Sequence, residues 1–208
     1  MRNTIKLGLT ALMAAMLLAS ALSTASARNL EVSNQNWRVT WSNLEFQSSL
    51  VTVRCRVTLE GSFHSRTIPK REGLLVGSIT RISVFEERCT NGQARPERPP
   101  PWHLTYEGFT GTLPTIATVR LLMQRFQFAI IAFGVTCKYG REGDNVTGDA
   151  AVNAAGEITT IRPTRERNIA SLLEGGGLCP ANGTLVSGTG DGNVTLLNTT
   201  TRIRVTLI

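Results

Sequence analysis

Apolar and polar residues alternate along most of this chain. "WRVTW" sets Trp37, Val39 and Trp41 against Arg38 and Thr40. "LVTVRCRVTLE" does the same from Leu50 to Glu60, with Val51, Val53, Cys55, Val57 and Leu59 on one side. Thr52, Arg54, Arg56, Thr58 and Glu60 occupy the other. Successive strand residues point to opposite faces, so a period of two describes a sheet with one buried and one wet face. Cys55 falls on the buried face.

Further strands are predicted at Leu74 to Phe85, Trp102 to Phe109, Ile116 to Met123 and Phe126 to Tyr139. The Phe126 run is apolar on both faces, which predicts one central strand covered on both sides. "VTGDAAV", "EITTIR", "GTLVSG", "NVTLLN" and "RIRVTLI" come after it, the last alternating to Ile208. Asn91-Gly92, Ala155-Gly156, Asn182-Gly183 and Asp191-Gly192 supply turns, because Gly, Asn and Asp tolerate positive φ. Short strands punctuated by turns predict an all-β fold, an antiparallel β-sandwich of about ten strands. One short helix is expected near 164–173, opened by Pro163 and closed by Gly175, with Ile169, Leu172 and Leu173 sharing a face.

"RPERPPPWHLTYEGFTGTLP", Arg95 to Pro114, begins with a proline cluster. Pro96, Pro99, Pro100 and Pro101 cannot donate to a ladder and favour an extended path. The residues after them alternate. Trp102, Leu104 and Tyr106 belong to the core, and His103, Thr105 and Glu107 to the wet face. His103 and Glu107 are therefore the candidate binding face.

The N-terminus changes the picture of where the protein works. Arg2 and Lys6 precede an uncharged run, "LGLTALMAAMLLASAL", and "ASA" at Ala25 to Ala27 suits signal peptidase. Residues 1–27 read as a secretory signal, leaving 28–208 as a single β domain. The rest of the sequence holds no apolar run long enough to span a bilayer. Losing Arg2 and Lys6 takes the formal charge from +7 to +5. A mildly basic exported chain would suit an anionic cell-surface polymer as partner. Its basic stretches, Thr164 to Asn168 and Arg202 to Arg204, lack interleaved aromatics, so nucleic acid is not expected.

Cys55, Cys89, Cys137 and Cys179 form an even set without any C-x-x-C pair. After export they read as two disulfides, with sequential pairing Cys55–Cys89 and Cys137–Cys179. The alternative of a zinc site needs closely spaced ligands.

Candidate chemistry is sparse. The chain has only His64 and His103, and no G-x-S-x-G elbow. No metal or cofactor is implied. "GDNVTGD" and "GTGDGN" offer oxygens but not the twelve-residue calcium pattern. The sequons at Asn145, Asn182, Asn193 and Asn198 read as surface turns. Glu45, Glu60, Glu86, Glu87 and Glu107 lie on or beside strands, where a glycosidase would need two acids at a set separation. Two functions are compatible with these features. The first is an exported, non-enzymatic binding or structural domain. The second is a secreted hydrolase, for instance of polysaccharide, using a carboxylate pair. An eight-stranded outer-membrane barrel suits the length, but aromatics at 6% are too few for two interfacial girdles.

Overall fold

The structure is a computed structural model describing residues 29–112, 114–164, 169–187 and 192–208. These residues form sixteen strands and no helix. The export signal expected at 1–27 lies outside them, as do 165–168 of the basic stretch.

Numbered in chain order, eight strands make a closed ring. They are β2 (Asn36–Gln47), β3 (Thr52–Phe63), β5 (Leu75–Thr90), β7 (Trp102–Thr110), β8 (Thr118–Gln124), β11 (Asn145–Val152), β12 (Ile158–Pro163) and β15 (Gly192–Leu196). The spatial order is β15-β12-β11-β8-β7-β5-β3-β2, and every pairing is antiparallel. The ring closes where Trp37, Val39 and Thr40 of β2 face Leu196, Val194 and Asn193 of β15. This pairing replaces the expected sandwich with a barrel. Alternation says which side chains face inward, and a sandwich face and a barrel wall carry the same alternation. Only the contact between the first and last strands of the ring distinguishes them.

Strand β2 serves two sheets. Its first half pairs with β15, and its second half, Leu44 to Gln47, pairs with β14 (Asn182–Ser187). The β2–β3 register shifts between Trp41 and Leu44, where the partner changes. From β14 the sheet runs on through β13 (Ile169–Glu174), β10 (Val135–Tyr139), β9 (Phe128–Ala132) and β6 (Gln93–Pro96). The other end of the barrel is covered by three short strands, β1 (Asn29–Val32), β4 (Thr67–Pro69) and β16 (Val205–Leu207). Leu30, Val32, Ile68 and Val205 of this cap are all buried.

Three local expectations need correction. Residues 169–174 are strand β13 rather than part of a helix. The strand is hydrogen-bonded to β14 on one side and β10 on the other, so the sheet satisfies the backbone and overrides a weak helical period. Asn182-Gly183 is not a turn but the start of β14, where the Tyr139 ring lies against Gly183. The Phe126 to Tyr139 run is a hairpin and not one strand. β9 and β10 meet at a two-residue turn, Phe133-Gly134, with φ of 53° and 76°. That turn demands positive φ at both positions.

The proline stretch is partly in the sheet: Arg95 and Pro96 pair with Ala129 and Phe128. Trp102 opens β7 as a core residue, and its Nε1 donates to the Arg98 carbonyl at 3.1 Å. Trp102, Phe126, Phe128, Tyr139 and Phe46 then form a continuous aromatic cluster, with ring centroids 5.3–6.2 Å apart. Such pairs contribute about 0.5–1.5 kcal/mol each beyond their burial.

Tyr106 and Tyr139 are the chain's only tyrosines and both are buried. Burial pushes each phenol above its ordinary value of 10.0. Above that value the unfolded chain loses these protons before the folded one does, so stability falls as pH rises and is unaffected below it. An alkaline titration monitored by circular dichroism and tyrosinate absorbance should show the two signals changing together. Tyrosinate appearing while the β signal is intact would contradict this.

The two disulfides join Cys55 to Cys89 and Cys137 to Cys179, and no free cysteine is present. The first links adjacent strands β3 and β5 of one sheet. The second ties β10 to the β13–β14 connection. This is consistent with an extracytoplasmic protein.

Candidate functional site

The barrel interior is the candidate site, and the alternation of the strands builds its walls. Inward positions of all eight strands, together with Ile203 beside the cap, enclose a cavity of about 100 Å³. The wall includes Trp37, Val39 and Trp41 of β2, Ile79 of β5, Leu121 of β8 and Ala150 of β11. Outward positions hold Arg38, Arg54, Glu60, Arg120 and Asp149, so this barrel is apolar inside and polar outside. A lipid-embedded barrel has the reverse pattern. No helix among the described residues is long and apolar enough to cross a membrane.

Space inside is made by small residues opposite large ones. A Cβ on Gly61 would strike the Trp37 ring, and one on Gly192 would strike the Trp41 ring. Both indoles therefore lie against bare backbone, which lets two tryptophans fit beside a void. Gly148, Ile161 and Pro163 also line the cavity and keep partial exposure, so it approaches solvent along β11 and β12.

The chemistry of the lining is one-sided. None of the described residues lining the cavity is titratable. Trp41 Nε1 donates to the Ile161 carbonyl at 3.2 Å. Trp37 Nε1 is buried and has no hydrogen-bond partner. The site offers apolar contact.

The structure spreads the sequence-derived candidates over the outer surface. His103 and Glu107, both half-buried, are four residues apart on β7, roughly 13 Å at the usual strand rise. A bulge between Tyr106 and Gly108 separates them further in orientation. His103 Nε2 lies 3.3 Å from Arg125 Nη1, while Glu107 acts electrostatically on Arg120. They do not converge on one ligand. The histidines do approach each other around Ser78. Ser78 Oγ is 3.0 Å from His64 Nε2, and Ser78 is the cross-strand partner of His103. Period-two reasoning missed this grouping because it needs the β3–β5–β7 register. A hydrolytic triad also needs a carboxylate behind the histidine, and the described bonds of His64 include none.

The carboxylates are engaged with arginines. Glu45 binds Arg54, Glu60 lies between Arg38 and Arg81, and Asp149 takes a two-pronged contact from Arg120 at 2.7 and 3.2 Å. The Asp149 hydrogen bond raises the Arg120 guanidinium further above its ordinary range. Glu86 and Glu87 are exposed. The candidate calcium loop at Gly143 to Asp149 is a structural staple. Asp144 accepts from the backbone N–H of Arg141 and Ser171 and from the Ser171 hydroxyl. Among the described residues no three His, Cys, Asp or Glu side chains gather as a metal site would need. Residues 188–191 of the second loop lie outside those described.

A second hollow, of about 230 Å³, lies at the tips of the extension. Leu50, Phe133 and Leu178 project around it from three separate connections, 60%, 84% and 69% exposed.

Compared with known proteins, this chain matches no family, no curated protein and no solved structure. The barrel cavity is thus read from its own chemistry. Alternation placed Trp37, Val39 and Trp41 on a buried face. It carried no signal that this face encloses space, because that depends on which glycines stand opposite.

Proposed function

We propose that this is an exported, non-enzymatic binding protein of the cell surface or envelope, one that holds a small apolar molecule inside its barrel. The carrying observation is the cavity of about 100 Å³ with an apolar lining drawn from every strand of a closed ring. Eight strands give an interior just wide enough to be filled by side chains or to hold one small ligand. An apolar void of this order stays dry and takes ring-sized hydrocarbons. The polar outer wall and two disulfides fit a soluble carrier in an oxidising compartment. The mildly basic surface would suit an anionic polymer as a second, weaker partner, although much of its charge is already neutralised by ion pairs.

The test is a panel of small cyclic and linear hydrocarbons, read by thermal shift and by fluorescence of the barrel tryptophans. Ligand at a hundredfold excess over Kd adds about 2.7 kcal/mol. Wild type should melt higher with at least one member, and Ala150→Leu, which fills the cavity, should not respond. A panel with no effect on wild type would overturn the reading. So would polysaccharide turnover that disappears in Glu107→Gln while the fold is kept, since that outcome belongs to a hydrolase.

A further inference from the structure

We infer that the hollow at the tips of the extension is a self-association surface, where Phe133 of each copy inserts into the hollow of a second copy. The observations behind this are separate from those on the barrel.

Phe133 is the first of them. It holds a φ of 53° at the β9–β10 turn, a conformation that Asn or Asp adopts cheaply and a bulky residue does not. Packing could offset that cost, yet the side chain is 84% exposed and gains little within its own chain. A backbone outlier with no internal explanation points to a contact outside the fold. Leu50 and Leu178, from the β2–β3 and β13–β14 connections, are mostly exposed beside it.

The knob stands next to its own hole. The hollow of about 230 Å³ is walled by Val51, Ile130, Val135 and Pro180 besides the three tips. An apolar void of roughly 150 Å³ already admits benzene, so a phenyl ring fits here. A twofold axis between two copies sets each Phe133 against the other's hollow, the self-complementary geometry of an isologous interface.

Charge selects the partner. The chain is formally +7, so most faces of two copies repel. None of the residues lining the hollow is charged. The connections around it, Ser48 to Val51, Thr90 to Gln93 and Gly175 to Ala181, hold no charge either. A lipid surface fits less well, because peripheral insertion joins apolar tips to a basic rim, and this rim has none. The three exposed side chains and the hollow's walls offer about 500 Å² per copy, or about 1,000 Å² in the pair, the lower end for a specific interface. The dimer is therefore weak and concentration-dependent.

Sedimentation velocity of the wild type from about 1 μM to 1 mM, the range in which a weak interface forms, should show monomer giving way to dimer. Phe133→Asn suits the turn and removes the knob. It should weaken association by about 30-fold or more, as loss of a central anchor does, and melt no lower than wild type. Leu178→Ser, on another connection, should weaken it too, so the test does not hang on one variant. A wild type that stays monomeric throughout overturns the inference. So does a dimer that both variants leave intact, since the contact then lies elsewhere. Flotation with phosphatidylcholine vesicles should leave wild type in solution. Wild type that floats while Phe133→Asn does not would assign this face to a lipid surface and overturn the dimer.

Discussion

Trp41→Ala is expected to lower stability by about 3–5 kcal/mol, the range for a buried aromatic reduced to alanine. Trp41 is buried at 4% exposure, lies against Gly192 and spends its Nε1 on the Ile161 carbonyl. It thus bridges β2, β15 and β12, the three strands where the ring closes. Gly192→Ala should also destabilise, since its Cβ meets the same indole. The two substitutions are coupled in a way a simple cavity is not. Removing the ring removes part of the obstacle and leaves Val39 Cγ2 at 2.6 Å, so Gly192→Ala should cost less in the Trp41→Ala background than in the wild type. A denaturant-unfolding double-mutant cycle measures this directly. Additive losses would mean that the indole does not hold the seam.

Replacing either pair of cysteines with alanine is expected to cost about 4 kcal/mol, from loops spanning 34 and 42 residues. Losing both would remove most of the roughly 5–15 kcal/mol that a domain possesses. Chemical reduction should therefore unfold the protein near room temperature, seen as loss of the near-ultraviolet tryptophan signal. Full retention of that signal after reduction would weaken the argument from disulfides to an oxidising compartment. Each bridge joins a buried cysteine, Cys55 or Cys137, to a half-buried one, Cys89 or Cys179.

Much of the secondary structure was legible because period two is a local signal. β2, β3, β7 and β8 lie where alternation put them, and Trp102, Leu104 and Tyr106 are core, but Thr105, expected on the wet face, is buried as well. What failed was non-local or disguised. Closure needs Trp37 to meet Leu196, and no local pattern encodes a partner that distant. The Phe133-Gly134 turn was hidden because a bulky aromatic stands where Asn or Asp usually signals positive φ. The helix expected near 164–173 failed over its described part, 169–173, for the opposite reason: Ile169, Leu172 and Leu173 fit a helical face, but sheet partners on both sides were stronger. The site was the least legible part. Its tryptophan walls are seated on glycines, and Gly61 and Gly192 acquire meaning only when a tryptophan is found against them.

The seam between β2 and β15 also sets an order of events. Neighbouring hairpins such as β2–β3 and β7–β8 can form from nearby residues, but the ring joins the first and last of its strands. Pairings between remote segments cost the most chain entropy before any contact rewards them, and they slow folding. By that measure the cavity closes after the local hairpins of the ring have formed. A partly folded chain can hold its hairpins and both disulfides and still have no pocket. On the proposed reading, a ligand in the barrel would latch the completed ring, slowing its opening more than it speeds its formation.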